Sequence, residues 1–345
     1  MSRFRPLRYA AFVYLALALT ACGPTESPVQ SAIRPPSSAT QTTLRSSRQT
    51  AAVGEIKSVD QDMRARASGD AISKIYDGSP VAPHTFATTV GIVKGFSKGE
   101  EPERRPSCTG VLIKTDVVLT AAHCICGVVA DENGAAKANV YVGDNPVSIP
   151  HEGVFYPVTA FESAIACNGS DLADPLPGNR DLAVLRLGSR VKGVAPVSDA
   201  PAKVVDMATS YRVVGFGAID QDGSVFTFEK REAPVVAASN DCRGHQDGQM
   251  SKPSDAAYYG CWPGEEIVAG QRRSPDACSG DSGGPLFVSP AGKGAGVSSA
   301  EYLLAGITSR SVEQSPRACG YGGLYERITP GAEQWIAGAL KRLKH

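Results

Sequence analysis

The chain has 345 residues, and its 35 Lys plus Arg balance 35 Asp plus Glu, which argues against the broad basic surface of a nonspecific nucleic-acid binder. Hydrophobic residues make up 42%, enough for a substantial core and too many for a wholly disordered chain. Gly and Pro number 36 and 24, and no apolar run reaches the ~18 residues of a spanning helix, so a polytopic membrane protein, a long helical bundle and a histone-like binder are poor readings.

At the amino terminus, Arg3, Arg5 and Arg8 precede an apolar run from Tyr9 to Leu19. A basic start followed by such a run and by small residues reads as a secretory signal over residues 1–21. Leu19-Thr20-Ala21-Cys22 resembles a bacterial lipoprotein cleavage box, which implies that Cys22 becomes the lipidated first residue of the mature chain. Gly23 follows, in place of the Asp that commonly retains such proteins at the inner membrane, so in a cell with two membranes the outer one is expected. From Gly23 to Thr50 there are 11 Ser or Thr, 4 Pro and 3 Gln, a composition that cannot bury a core. Residues 22–74 therefore read as a lipid-anchored tether, with ordered structure from Ile75.

Beyond that point the apolar runs Val90–Val93, Val111–Ile113, Val117–Leu119 and Ala183–Leu187 are strand-like and separated by Gly, Pro or Asp. A helical pattern is clear only near the end, at Trp335, Ile336, Leu340 and Leu343. Many short strands with one terminal helix point to an all-β domain over residues 75–345. The chain has nine cysteines. With Cys22 assigned to lipid, Cys108, Cys124, Cys126, Cys167, Cys242, Cys261, Cys278 and Cys319 remain, an even set behind an export signal that reads as four disulfides. Zinc is the rival, but only Cys124 and Cys126 are close, and Cys-x-Cys lacks the usual two-residue gap. No metal and no cofactor is expected.

Three segments carry chemistry. They are Val117-Val-Leu-Thr-Ala-Ala-His123-Cys124, Asp181-Leu-Ala-Val-Leu-Arg-Leu187, and Asp276-Ala-Cys278-Ser-Gly280-Asp281-Ser282-Gly283-Gly284-Pro285. Together they supply a nucleophile, a base and an orienting carboxylate. A serine hydroxyl is a poor nucleophile near neutral pH, so a neutral imidazole must take its proton during attack. Ser282 is the expected nucleophile, His123 the general base and then acid, and Asp181 the group that orients His123.

The order His, Asp, Ser and these flanking residues resemble the trypsin and chymotrypsin family of serine proteases, as do Val214-Gly-Phe-Gly217 and Gly323-Leu-Tyr-Glu-Arg-Ile328. The resemblance covers residues 75–345. It implies two antiparallel six-stranded Greek-key barrels with a carboxyl-terminal helix, and a secreted endopeptidase acting on polypeptides. It further implies an oxyanion hole from the N–H groups of Gly280 and Ser282, and disulfides Cys108–Cys124, Cys242–Cys261 and Cys278–Cys319, which leaves Cys126 with Cys167. Asp276 falls at the floor of the family's primary specificity pocket, where a carboxylate favours Arg or Lys, and Gly323 keeps the pocket wall open.

The chain departs from the family after Ser309. Arg310 stands where a Trp is usual and Ser311 where a glycine lines the pocket entrance; Arg310 is expected to attract acidic residues before the cleaved bond. Lys74-Ile75-Tyr-Asp-Gly78 resembles the family's activation junction, implying cleavage after Lys74 and pairing of the freed Ile75 ammonium with Asp281. Two readings from other classes compete: a catalytically silent, surface-binding lipoprotein on the same fold, which an intact triad disfavours, and a lipase or esterase. Gly280 to Gly284 fits the Gly-x-Ser-x-Gly pattern of the latter, but the only histidine after Ser282 is the last residue, His345, and that reading fails.

Overall fold

The computed structural model describes residues 75–94, 104–126, 128, 137–150, 152–165, 180–244 and 254–343. The expected signal peptide, the lipid site Cys22, the tether through Lys74, and Cys167 lie outside the described residues. A two-residue strand, β1 (Ser79–Pro80), comes first and pairs with the second of two closed barrels.

The first barrel contains β2 (Thr89–Lys94), β3 (Cys108–Lys114), β4 (Val117–Thr120), β5 (Ala138–Val142), β6 (Val154–Ser163) and β7 (Ala183–Leu187), closed in the order β2-β3-β4-β7-β6-β5. Every pairing is antiparallel. The predicted apolar runs fall inside β2, β3, β4 and β7, and they are strands because both faces are covered. Val90, Ile92, Val111, Val118, Leu119 and Leu185 are all fully buried, each worth ~1.5–3 kcal/mol relative to exposure.

The second barrel contains β8 (Ser210–Gly215), β9 (Arg231–Ser239), β10 (Glu266–Ala269), β11 (Pro285–Val288), β12 (Leu303–Ser311) and β13 (Gly323–Arg327). Its order is β9-β10-β13-β12-β11-β8, and the pairing of β8 with β9 closes it. Ile75, Tyr211, Ile267, Leu286 and Tyr325 fill its core. Four α-helices and a 3-10 turn at Ser299–Glu301 complete the described chain: α1 (Ala122–Ile125), α2 (Ala202–Asp206), α3 (Asp255–Tyr259) and α4 (Pro330–Arg342).

The barrels share packing as well as chain. Val214, Phe287, Leu304 and Ile328 from the second belong to the same apolar cluster as the first barrel's core, together with Ala332, Ala339 and Leu340 of α4. The helix matches the predicted terminal pattern, and Trp335, Ile336 and Leu343 pack half-buried against that cluster. Its start is fixed by Thr329, whose hydroxyl accepts the Ala332 N–H at 3.2 Å, and by Pro330 in the first turn. The two-barrel architecture and the terminal helix are those expected from the sequence.

Candidate active site

Register brings the first two site residues together. β4 pairs with β7 so that Thr120 faces Ala183; His123 lies three residues beyond the first strand's end, and Asp181 two before the second's start. His123 sits in the single turn of α1, braced by the Cys108–Cys124 disulfide. The Asp181 carboxylate is 3% exposed. It meets His123 Nδ1 at 2.8 Å, accepts the His123 backbone N–H at 3.0 Å and accepts the Ser309 hydroxyl at 2.6 Å. Burial alone would push Asp181 up, but the hydrogen bond and charge of His123, with the Ser309 bond, hold it below its ordinary value. An ionised Asp181 can only accept, so Nδ1 carries the proton and Nε2 is left as the base.

Ser282 comes from the second barrel, in the turn before β11. That turn is clamped by Thr109 of the first barrel, whose N–H donates to the Ser282 carbonyl at 2.9 Å and whose hydroxyl donates to the Gly280 carbonyl at 2.9 Å. Gly283 has φ +79°, and a Cβ there would fall 2.0 Å from Thr120 Oγ1 and 2.4 Å from the Thr109 carbonyl oxygen, so only glycine lets the serine turn dock on the first barrel. Gly280 has φ +91°. Among the described residues, neither its N–H nor that of Ser282 donates to another acceptor, which leaves two donors free beside the hydroxyl. No hydrogen bond joins Ser282 Oγ to His123 Nε2 among the described residues, and Nε2 lies 3.8 Å from Cys124 Sγ. In ligand-free sites such bonds commonly tighten only when substrate arrives. The donor atoms of Cys108, His123 and Cys124 lie within 4.8 Å of one another, but the two sulfurs are joined in the disulfide, so they offer no thiolate to a metal.

A cavity of about 180 Å³ opens beside Ser282, lined by Ala277, Cys278, Ser309, Arg310, Ser311 and Gly323 among others. Asp276 lies one residue behind that lining and is 1% exposed. Its Oδ2 accepts three backbone N–H groups, from Gly320, Tyr321 and Gly322, at 3.1, 3.2 and 2.9 Å, while Oδ1 is buried without a partner. Burial pushes Asp276 up to about 6 against the pull of those N–H groups. The Tyr76 carbonyl accepts the Asp276 N–H at 3.1 Å, tying the start of the described chain to this wall. The Ser311 hydroxyl donates to the Ala318 carbonyl.

Two findings go beyond the sequence reading. Arg310 reaches the cavity, but its guanidinium is engaged by the carboxylate of Glu266, through both terminal nitrogens, and by the Gly260 carbonyl at 3.0 Å. The free cation on which an attraction for acidic side chains depended is already paired. Glu326, which the sequence did not single out, accepts the Asp181 backbone N–H at 2.9 Å; the only signal for it was a charged residue inside an apolar strand pattern. Asp281, also fully buried, accepts N–H groups of Gly217 and Cys278 at 2.8 Å each, and burial pushes it up to about 7. Cys242–Cys261 and Cys278–Cys319 are bridged as expected. Cys126 is likewise disulfide-bonded.

The family model for trypsin matches residues 75–336. The chain belongs to the trypsin family. It is 25% identical over 295 residues to phenoloxidase-activating factor 1 of Holotrichia diomphalia, an overlap covering 78% of this chain and 70% of that protein. It is 27% identical over 278 residues to granzyme A of Bos taurus, covering 77% and 89% respectively. The solved structure of neuropsin, a serine protease of mouse brain, shares the fold with a TM-score of 0.50 and 23% identity, covering 76% of this chain and 99% of that one. The trypsin-family chain is thus a serine endopeptidase, and its disulfides fit an extracellular protein.

Proposed function

We propose that this protease cleaves polypeptides after Arg or Lys through His123, Asp181 and Ser282. Ser282 Oγ attacks the carbonyl carbon while His123 Nε2 takes its proton, and Asp181 stabilises the resulting imidazolium. The oxyanion is received by the N–H groups of Gly280 and Ser282, each such donor being worth ~10²–10³ in turnover. His123 then gives its proton to the departing amine, and water repeats the sequence on the acyl-enzyme. The observation that carries the specificity is Asp276, a buried carboxylate with one oxygen lacking a partner. A guanidinium or ammonium supplies that oxygen, whereas an apolar side chain leaves the charge unpaired. Ser309, Arg310, Ser311 and Gly323 are assigned to the substrate side of the cavity.

The precursor reading is part of the same proposal. Residues 1–21 export the chain, Cys22 anchors it by lipid, residues 22–74 form the tether and pro-segment, and cleavage after Lys74 frees the Ile75 amine to pair with Asp281. Ile75 is fully buried in the second barrel's core, beside the Tyr76 contact with Asp276, which supports a link between this junction and the pocket. Residues 23–74 contain no cysteine, so cleavage releases the protease from its anchor. The test uses protein beginning at Ile75 on chromogenic peptides ending in Arg, Lys, Phe or Ala, with Ser282→Ala as control. Cleavage of the Arg and Lys peptides alone, absent in the variant, is the expected result. Folded protein with a free Ile75 amine that cleaves none of them favours the surface-binding alternative.

A further inference from the structure

A buried carboxylate that the triad chemistry does not use stands behind Asp181. Glu326 on β13 is 2% exposed. Its Oε1 accepts the Asp181 backbone N–H at 2.9 Å, and its Oε2 is buried without a partner. Its cross-strand partner on β10 is another acid, Glu266, which is fully buried and also accepts the Trp262 N–H at 2.8 Å.

The charged groups facing Glu326 are therefore Asp181 and Arg180 from the segment before β7, and Glu266 from β10. Each of the other two acids has its own partner. Asp181 has His123 and Ser309, and Glu266 has Arg310, which reaches it from β12. Arg180 lies 3.8 Å from Glu265 instead. Among the described residues, Glu326 makes no ion pair with any cation. An ionised carboxylate in that position adds an uncompensated buried charge, which a protein avoids by keeping the proton.

We infer that Glu326 is a positioning residue of this protease: as a neutral carboxylic acid it fixes the Asp181 backbone through Oε1, and its ionisation loosens the Asp181–His123 pair. The inference rests on the triad reading above. Burial pushes Glu326 up to about 8; the Asp181 N–H opposes this, and the charges of Glu266 and Asp181 add to it. Once the Oε2 proton leaves to solvent, Glu326 becomes a second buried anion next to Asp181, with the Asp181 N–H as its one hydrogen-bond donor. Relief comes by protonating Asp181 or shifting its backbone, and either costs His123 its orientation.

The test follows kcat/KM on an Arg peptide, together with the His123 ring-proton shift, across the alkaline range in wild type, Glu326→Gln and Glu266→Gln. Wild type is expected to lose about tenfold in kcat/KM through an inflection near 8, with a matching step in the ring shift. Glu326→Gln, whose amide oxygen still accepts the Asp181 N–H, loses both. Glu266→Gln removes a like charge and moves the inflection down by about one pH unit. A purely structural role for Glu326 predicts lower stability with an unchanged inflection, and that result overturns the inference. If Glu326→Gln does not fold, Glu266→Gln decides, an unmoved inflection counting against the proposal. A wild type inactive at every pH overturns the triad reading separately. The ring shift still judges Glu326: a step confined to wild type supports its coupling to His123, and a step in both proteins overturns it.

Discussion

At Asp276 the balance between burial and three N–H donors has a measurable consequence. The carboxyl is pushed up to about 6 in the empty pocket, so below that pH it is protonated and holds no charge for a cation. A small amidinium inhibitor such as benzamidine reports this without requiring turnover. Its inhibition constant should be flat above pH 7 and rise about tenfold for each pH unit below about 6, the slope of one linked proton. Asp276→Asn should abolish that dependence and weaken inhibition at pH 8 by at least about thirtyfold, as loss of a buried charge partner typically costs ~2–5 kcal/mol. A pH-independent inhibition constant in wild type would place the amidinium elsewhere. Arg310 illustrates the opposite case: its charge is spent inside the protein on Glu266, so its residue type alone misdescribes what a substrate meets.

Among the elements, four strands of the first barrel were legible in the sequence, whereas β10, β11 and β13, buried at every position, were not singled out. Strands β2, β3, β4 and β7 announced themselves as short apolar runs because most of their side chains are buried on both faces. β6 did not, since Val158 is its only fully buried residue and the rest is half-exposed or exposed. β1 is exposed throughout, and its place depends on pairing with β9. Glu266 and Glu326 were invisible for a related reason. Acids in strands ordinarily face solvent, and these two stay inside only because Arg310, the Trp262 N–H and the Asp181 N–H await them, partners distant in sequence. The terminal helix was legible from the spacing of Trp335, Ile336, Leu340 and Leu343, while its cap at Thr329 emerged only in the structure. Thr329→Ala removes the acceptor for the Ala332 N–H and should cost ~1 kcal/mol, a fall of about 2–4 °C in Tm for a domain of this size. A calorimetric scan showing no change would mean that packing of Leu340 and Trp335, and not the cap, sets the helix start.

For the molecule as a whole, three carboxyls buried around the site make stability depend on pH in an unusual direction. Burial raises Asp276 to about 6, Asp281 to about 7 and Glu326 to about 8 from ordinary values of 3.8, 3.8 and 4.5. A carboxyl whose acidity is weakened by folding holds its proton in the folded state after the unfolded chain has lost it. Its contribution to stability is therefore intact below about pH 4 and lost as pH rises to its folded value. The continuous chain should therefore become steadily less stable between about pH 4 and about pH 8. The activation proposed above would change this balance at one residue. If cleavage after Lys74 brings a free Ile75 ammonium to Asp281, it supplies the missing counter-charge, lowers that carboxyl, and removes its share of the loss. Urea unfolding of uncut Ser282→Ala protein and of the form beginning at Ile75, across this pH range, separates the two. The cut form should keep more of its stability at pH 8, by ~3–5 kcal/mol if the buried pair forms fully, and Asp281→Asn should erase the difference. Parallel curves for the two forms would mean that Ile75 is buried for packing alone, and that the pocket and serine turn are already in place in the precursor.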